Sequence, residues 1–437
     1  MSTKKQTIRI AALFLSVVLL AGLIPFSGHA LQQDRVEALL ERMALRDKIT
    51  QMLMVDFRNW DTDLTDSKGA TAFTVMNDQV RQVLGKYHFG AVILFAENIQ
   101  ETAQSYTLIR ELQEAAISGG GLPLIISADQ EGGRVYRLGS GSALPGNMAL
   151  GAAGDEALAR TAGRILGSEL NALGINNNLA PVVDVNSNAN NPVIDLRSYS
   201  DDPVLVGSLA SACVEGMAEY HVIGCAKHFP GHGDTATDSH YGLPVVDKSR
   251  KELLETELLP FRMVVDAGVE MIMTAHILYP QLDSSTKYSQ KTGKRESLPA
   301  TMSTAILTDL LKGEMGFNGI VCTDSMRMAA ISAIWDPVQA AVNAIAAGAD
   351  MLCTPCVLYD LDDLKNLDKI ITGIEDAVTD GIIPESRLDD AVTRILKVKE
   401  ANGILDYNTD DRSLKTRLRL SEVRRTGKWS VGLQLQQ

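Results

Sequence analysis

The sequence predicts a single (β/α)8 barrel. Three observations carry this. Eight short, apolar, β-branched runs recur, at 49–57, 89–96, 122–128, 175–185, 222–228, 269–276, 319–323 and 349–354. Amphipathic stretches of helical period separate them, and near-continuous apolar strands alternating with helices signal a parallel sheet covered on both faces. At least five of the runs end in chemically capable groups: Asp129-Gln-Glu131, Asp184, Lys227-His228, His276 and Asp324. In a barrel of this kind the active site is built at the C-terminal ends of the strands. An open doubly wound sheet would instead carry a Gly-rich phosphate loop after its first strand. Gly132-Gly133 follows the third run and lacks that fingerprint.

The elements follow in order. The first thirty residues stand apart, with Lys4, Lys5 and Arg9 ahead of an apolar run over 10–24, then Pro25 and the small-residue site Gly28-His29-Ala30. This is the layout of a secretory signal peptide, and cleavage after Ala30 is expected. The alternative is an uncleaved N-terminal anchor that tethers the protein to a membrane. A lipoprotein cysteine is missing, since Leu23 follows Leu20-Ala21-Gly22. The barrel is expected over 31–405, with helices at 202–220, 250–267, 300–315 and 337–347. A last helix over 384–402 closes it. From 406 to 437 a basic, polar tail carries Lys415, Arg417, Arg419, Arg424, Arg425 and Lys428. It is too short for a second domain.

Composition narrows the function. The formal charge is −13, and loss of the three leader cations would take it to −16. Such an acidic chain lacks the basic footprint that a nucleic-acid partner requires. Five cysteines (213, 225, 322, 353 and 356) are odd and sparse for an exported protein. Three of them sit inside apolar runs, where a free thiol behaves as a small hydrophobe. Cys353-Thr-Pro-Cys356 has the spacing of a redox or zinc pair, but no second Cys/His pair completes a zinc site.

The densest cluster is Lys227-His-Phe-Pro-Gly-His-Gly-Asp-Thr-Ala-Thr-Asp-Ser-His240. It places a cation, three His and two Asp on a Gly/Pro-rich loop. One reading is a solvated loop and another a metal site, although the His-x-His-x-Asp-His spacing of binuclear zinc hydrolases is missing. The third is a mobile loop whose Asp238 orients His240, raising its proton affinity for acid/base work near neutral pH. On that reading Gly231 and Gly233 supply backbone freedom over 229–240. Asp324, taken by itself, is equally well a helix N-cap.

The 227–240 segment resembles the signature of glycoside hydrolase family 3, in its β-N-acetylglucosaminidase branch. Further segments match that branch in order: Arg46-Asp-Lys-Ile-Thr-Gln-Met-Leu-Met54, Asp129-Gln-Glu-Gly-Gly-Arg-Val-Tyr-Arg137, Leu179-Ala-Pro-Val-Val-Asp-Val-Asn186, Asn191-Pro-Val-Ile-Asp-Leu-Arg-Ser-Tyr199 and Cys322-Thr-Asp-Ser-Met-Arg-Met328. The similarity covers about 35–405. It implies a nucleophile, Asp324, and an acid/base, His240, oriented by Asp238. That is two-step retaining catalysis with His in place of the usual second carboxyl group.

The resemblance further implies that Asp129, Arg137, Arg197, Lys227 and His228 hold the sugar, with no metal and no cofactor. Asp184 and His276 are candidates for supporting the site from behind, while Glu131 receives no direct catalytic role. The implied substrate is an oligosaccharide with a terminal, non-reducing N-acetylglucosamine, from peptidoglycan fragments or chitin oligomers. Alternatives on the same barrel are a β-glucosidase or a phosphorylase; outside enzymes, an exported sugar-binding barrel. A monomer in the cell envelope or outside the cell is expected. Two departures stand out: Arg327 replaces a smaller residue after the nucleophile, so the groove beyond it is expected to differ, and a barrel without the second α/β domain of larger relatives is expected.

Overall fold

A computed structural model describes residues 35–61, 71–236 and 242–407. Residues 35–40 form a short helix. From Met43 onward the chain builds one unit around eight parallel strands. These are β1 (Leu53–Asp56), β2 (Ala91–Leu94), β3 (Ile125–Ala128), β4 (Asn177–Asn178), β5 (Ile223–Phe229), β6 (Met271–Thr274), β7 (Ile320–Thr323) and β8 (Leu352–Cys353). Each pairs with its sequence neighbour, and β1 pairs with β8, through Leu53 and Leu352. The last gap is closed beside β8, where the Thr323 N–H donates to the Met351 carbonyl at 2.9 Å and Cys322 bridges Met351 in parallel. The sheet is therefore a closed barrel. Every residue of these strands is buried, as expected for strands covered by side chains within and helices without.

The element order matches the sequence reading, and the boundaries differ for local reasons. The run at 49–57 is the end of a helix, Leu45–Gln51, followed by β1. The run at 175–185 contains only a two-residue strand, because Pro181 has no N–H for the ladder. Pairing resumes beyond it, with the Val183 N–H on the Lys227 carbonyl at 2.7 Å. The stretch 250–267 is two helices, Arg250–Glu255 and Leu258–Asp266, and 300–315 is a 3-10 turn followed by a π-helix, Ala305–Glu314. Pro337–Ala347 begins and ends as expected, with Asp336 capping the Val338 and Gln339 N–H groups and Pro337 in the first turn.

The last helix, Glu385–Ala401, ties the two ends of the barrel. Its Arg387 pairs with Asp350 before β8, its Glu385 and Asp389 pair with Lys48, and its Lys399 donates to Gln51 before β1 at 2.9 Å. Among the described residues no helix is long and apolar enough to cross a membrane. The leader over 1–30 and the basic tail from 408 lie outside the described residues.

Candidate active site

The C-terminal ends of the strands open into a cavity of about 320 Å³. Its walls include Asp129, Glu131, Arg137, Arg197, Lys227, His228, His232 and Asp324, with Phe95, Val193 and Met328 as apolar surface. Of the strand-end positions flagged from sequence, Asp129, Glu131, Lys227, His228 and Asp324 are thus gathered in one place, and Asp184 and His276 are not part of the lining. Asp238 and His240 lie outside the described residues.

Asp324 directly follows β7, where the strand register aims it into the cavity. Its Oδ1 accepts the Ser325 N–H at 2.7 Å, and Oδ2 has no donor among the described residues. Burial pushes its proton affinity up, but His228, His276, the Ser325 N–H and Lys227 outweigh burial and hold the carboxyl below its ordinary 3.8. Asp324 is therefore ionised at neutral pH, as a nucleophile must be.

A second group lies across the cavity. Lys227, on β5, is 2% exposed and its Nζ sits 2.7 Å from Asp129 Oδ1 and 2.8 Å from Glu131 Oε1. Arg197 grips Glu131 with both arms of its guanidinium, Nη2 to Oε1 at 2.7 Å and Nε to Oε2 at 2.9 Å. Burial raises the proton affinity of Glu131, yet Lys227 and Arg197 overwhelm it and keep the carboxylate well below the usual range. Lys227 stays charged for the reciprocal reason: burial disfavours its ammonium, and Asp129 and Glu131 more than restore it. Two cations and two anions so balance inside a wall that would tolerate no unpaired charge. Glu131 receives no direct role from sequence reasoning, and in the fold it holds two of the cationic sugar-binding candidates, Lys227 and Arg197. The signal that points to it is an acid three residues beyond a strand end with buried cations to satisfy.

His228 completes the floor. Its Nδ1 contacts Asp184 Oδ2 at 2.8 Å, while Asp184 Oδ1 accepts the His228 N–H at 3.1 Å and the His232 N–H at 2.6 Å. Burial pushes Asp184 up, but the His228 and His232 side of the pocket outweighs it and leaves the carboxyl low. An acceptor-only Asp184 makes Nδ1 of His228 the donor, so Nε2 is the atom left for a ligand. Asp184 thus stands behind His228, and His276 lies two residues beyond β6. Arg137 borders the cavity, with its backbone N–H on Gln130 Oε1 at 2.7 Å and its Nε buried without a partner.

Two expectations need correction. Gly231 and Gly233 do not loosen the loop. Residues 228–233 are buried, the Asn191 amide donates to the His232 and Gly233 carbonyls at 2.7 and 3.0 Å, and a Cβ on Gly233 would lie 1.6 Å from the Val185 carbonyl oxygen. A Cβ on Gly231, at φ +139, would lie 2.8 Å from the Glu257 side chain. Close approach, of backbone at Gly233 and of a side chain at Gly231, is what these glycines provide. Arg327, expected to alter the groove, is not among the cavity's lining residues and pairs with buried Asp56 on β1 at 3.0 Å. Cys353 and Cys356 are free thiols, and burial pushes Cys356 up to about 12.

Comparison with known proteins adds the lineage. Residues 44–398 match the glycosyl hydrolase family 3 N-terminal domain. β-Hexosaminidase A of Pseudoalteromonas piscicida is 42% identical over 359 residues, which are 80% of this chain and 60% of that protein. A β-N-acetylglucosaminidase/β-glucosidase of Cellulomonas fimi is 33% identical, over 72% of this chain and 53% of its own length. The chain therefore spans little more than half of these relatives. A family 3 β-N-acetylglucosaminidase structure from Paenibacillus sp. str. FPU-7 superposes with a TM-score of 0.74 at 38% identity, covering 88% of this chain and 68% of that one.

Proposed function

The chain belongs to glycosyl hydrolase family 3, and on that premise we propose that it is a retaining, exo-acting β-N-acetylglucosaminidase. The observation that carries this reading is Asp324, an ionised carboxylate at the end of β7 inside a cavity rimmed by hydrogen-bonding charged groups. Asp324 attacks the anomeric carbon as the bond to the leaving oxygen breaks, and His240, oriented by Asp238, gives that oxygen its proton. Water then attacks the glycosyl-Asp ester, His240 takes the proton back, and the carboxylate is released. Asp129, Arg137, Arg197, Lys227 and His228 grip the sugar's hydroxyls, because charge-assisted hydrogen bonds are strong in a partly dry pocket. No step requires a metal or cofactor.

The substrate is a terminal, non-reducing N-acetylglucosamine on a peptidoglycan fragment or chitin oligomer. The protein acts as an exported monomer, released or held by its leader. The name of the Cellulomonas relative favours testing a β-glucosidase activity beside it. Purified protein is incubated with nitrophenyl β-N-acetylglucosaminide and the matching β-glucoside, with and without phosphate. Preference for the 2-acetamido sugar, unaffected by phosphate, supports the proposal; a site built to pair the acetamido group rejects its absence strongly. Equal kcat/KM on both glycosides points to a β-glucosidase. Acceleration by phosphate with a sugar phosphate as product points to a phosphorylase. Binding without turnover points to a sugar-binding barrel, and loss of activity with a chelator to a metal-dependent hydrolase.

A further inference from the structure

Ser325 follows Asp324 and meets a histidine outside the chemistry described above. Ser325 is held at three atoms. Its N–H donates to Asp324 Oδ1 at 2.7 Å, its Oγ contacts Thr354 Oγ1 at 2.6 Å, and its carbonyl faces His276 Nε2 at 3.0 Å. A carbonyl only accepts, so Nε2 of His276 carries the proton. On its other side the ring meets Thr301 Oγ1 through Nδ1 at 2.8 Å. Thr301 is itself fixed, 2.9 Å from Thr274 Oγ1 and 3.0 Å from the Ala275 carbonyl. His276 is 1% exposed and Thr301 fully buried, so the ring is held on both edges.

We propose that His276 is a positioning residue for the nucleophile. Through the Ser325 carbonyl it fixes the backbone whose N–H occupies Oδ1 of Asp324, and Oδ2 is thereby presented as the attacking oxygen. A carboxylate with one oxygen engaged has a defined direction of attack. One free to rotate samples many, and a misplacement of about 1 Å costs roughly 100-fold in rate. The ring also stands among the groups that keep Asp324 ionised. This inference rests on the assignment of Asp324 as nucleophile. It predicts an effect on the chemical step and little on binding, since other side chains are assigned to grip the sugar and His276 is not part of the cavity lining.

The test compares His276→Leu, His276→Gln and Thr301→Val with wild type and with Asp324→Asn, using nitrophenyl β-N-acetylglucosaminide. His276→Leu is expected to lower kcat by about 10- to 100-fold while KM changes less than about threefold. Gln carries an amide N–H that reaches the same carbonyl, so His276→Gln restores most of kcat. Thr301→Val, nearly isosteric, frees one edge of the ring and lowers kcat by a smaller factor. If His276→Leu fails to fold, the Gln and Val variants still decide the matter. Loss in KM with kcat unchanged, equal loss in the Leu and Gln variants, or wild-type kcat in the Gln and Val variants would each overturn the proposal. An Asp324→Asn variant that is dead while the His276 variants are normal defeats the inference and leaves the nucleophile intact. An Asp324→Asn variant that remains active defeats the functional reading itself.

Discussion

Lys399 is fully buried on the last helix, with its Nζ on the neutral Gln51 Oε1 at 2.9 Å and no acid to pair with it in that contact. Burial lowers its proton affinity from 10.5 to about 7. The folded state therefore loses this proton near pH 7, whereas the unfolded chain keeps it to about 10.5. Between those values the unfolded state binds more protons, so stability rises with pH. Below pH 7 both states are protonated and the full penalty is present. At about 1.4 kcal/mol per tenfold change in proton affinity, that penalty is about 5 kcal/mol, and a rise from pH 7, where the folded group is half titrated, to pH 9 removes about 2 kcal/mol of it. Lys399→Met removes the ionisable group and strands Gln51 Oε1, which costs about 1–3 kcal/mol at every pH. The difference between variant and wild type should accordingly shift by about 2 kcal/mol between pH 7 and 9 in favour of wild type. Urea unfolding of both proteins at pH 6, 7, 8 and 9 measures it. Parallel stability curves for the two would refute the reasoning, because they would mean that Lys399 titrates alike in the folded and unfolded chain.

Asp324→Asn should reduce kcat by orders of magnitude with unfolding temperature nearly unchanged, and more than about a tenth of wild-type activity would exclude Asp324 as nucleophile. His240→Ala and Asp238→Asn should both slow turnover, His240 more. The loss in the glycosylation step should be smaller for a phenolate leaving group than for a sugar, since the former needs little protonation; equal losses would remove His240 as the acid. Gly233→Ala should lower both unfolding temperature and kcat, by about 1–3 kcal/mol or more in stability, because the added methyl displaces the Val185 backbone. A variant as stable as wild type, assayed by thermal melting, would show that the tight approach is not needed.

The positions of the site residues were legible for a simple reason. In a parallel barrel each strand is an apolar run, and the first polar residues after it stand on the catalytic face. Asp129, His276 and Asp324 are such residues, while Lys227 and His228 lie near the end of β5 itself and Asp184 stands six residues past β4. Strand boundaries were less legible, because an apolar run does not distinguish the last turn of a helix from the strand after it, as at 49–57.

Partnerships were not legible at all. The pairing of Glu131 with Lys227 and Arg197 joins β3 to β5 and to the loop after β4, and the sequence holds no signal of which acid meets which base. The glycines of the 227–240 segment were misread because mobility and close packing demand the same residue. Only the Val185 carbonyl beside Gly233 separates the two. The sequence by itself determined the barrel, its catalytic face and the chemical groups that line it, since these follow from local periodicity and residue type. Tertiary structure alone decided which charges neutralise one another, which histidine meets the Ser325 carbonyl and which lysine is stranded in the core, because burial and through-space distance have no counterpart along the chain.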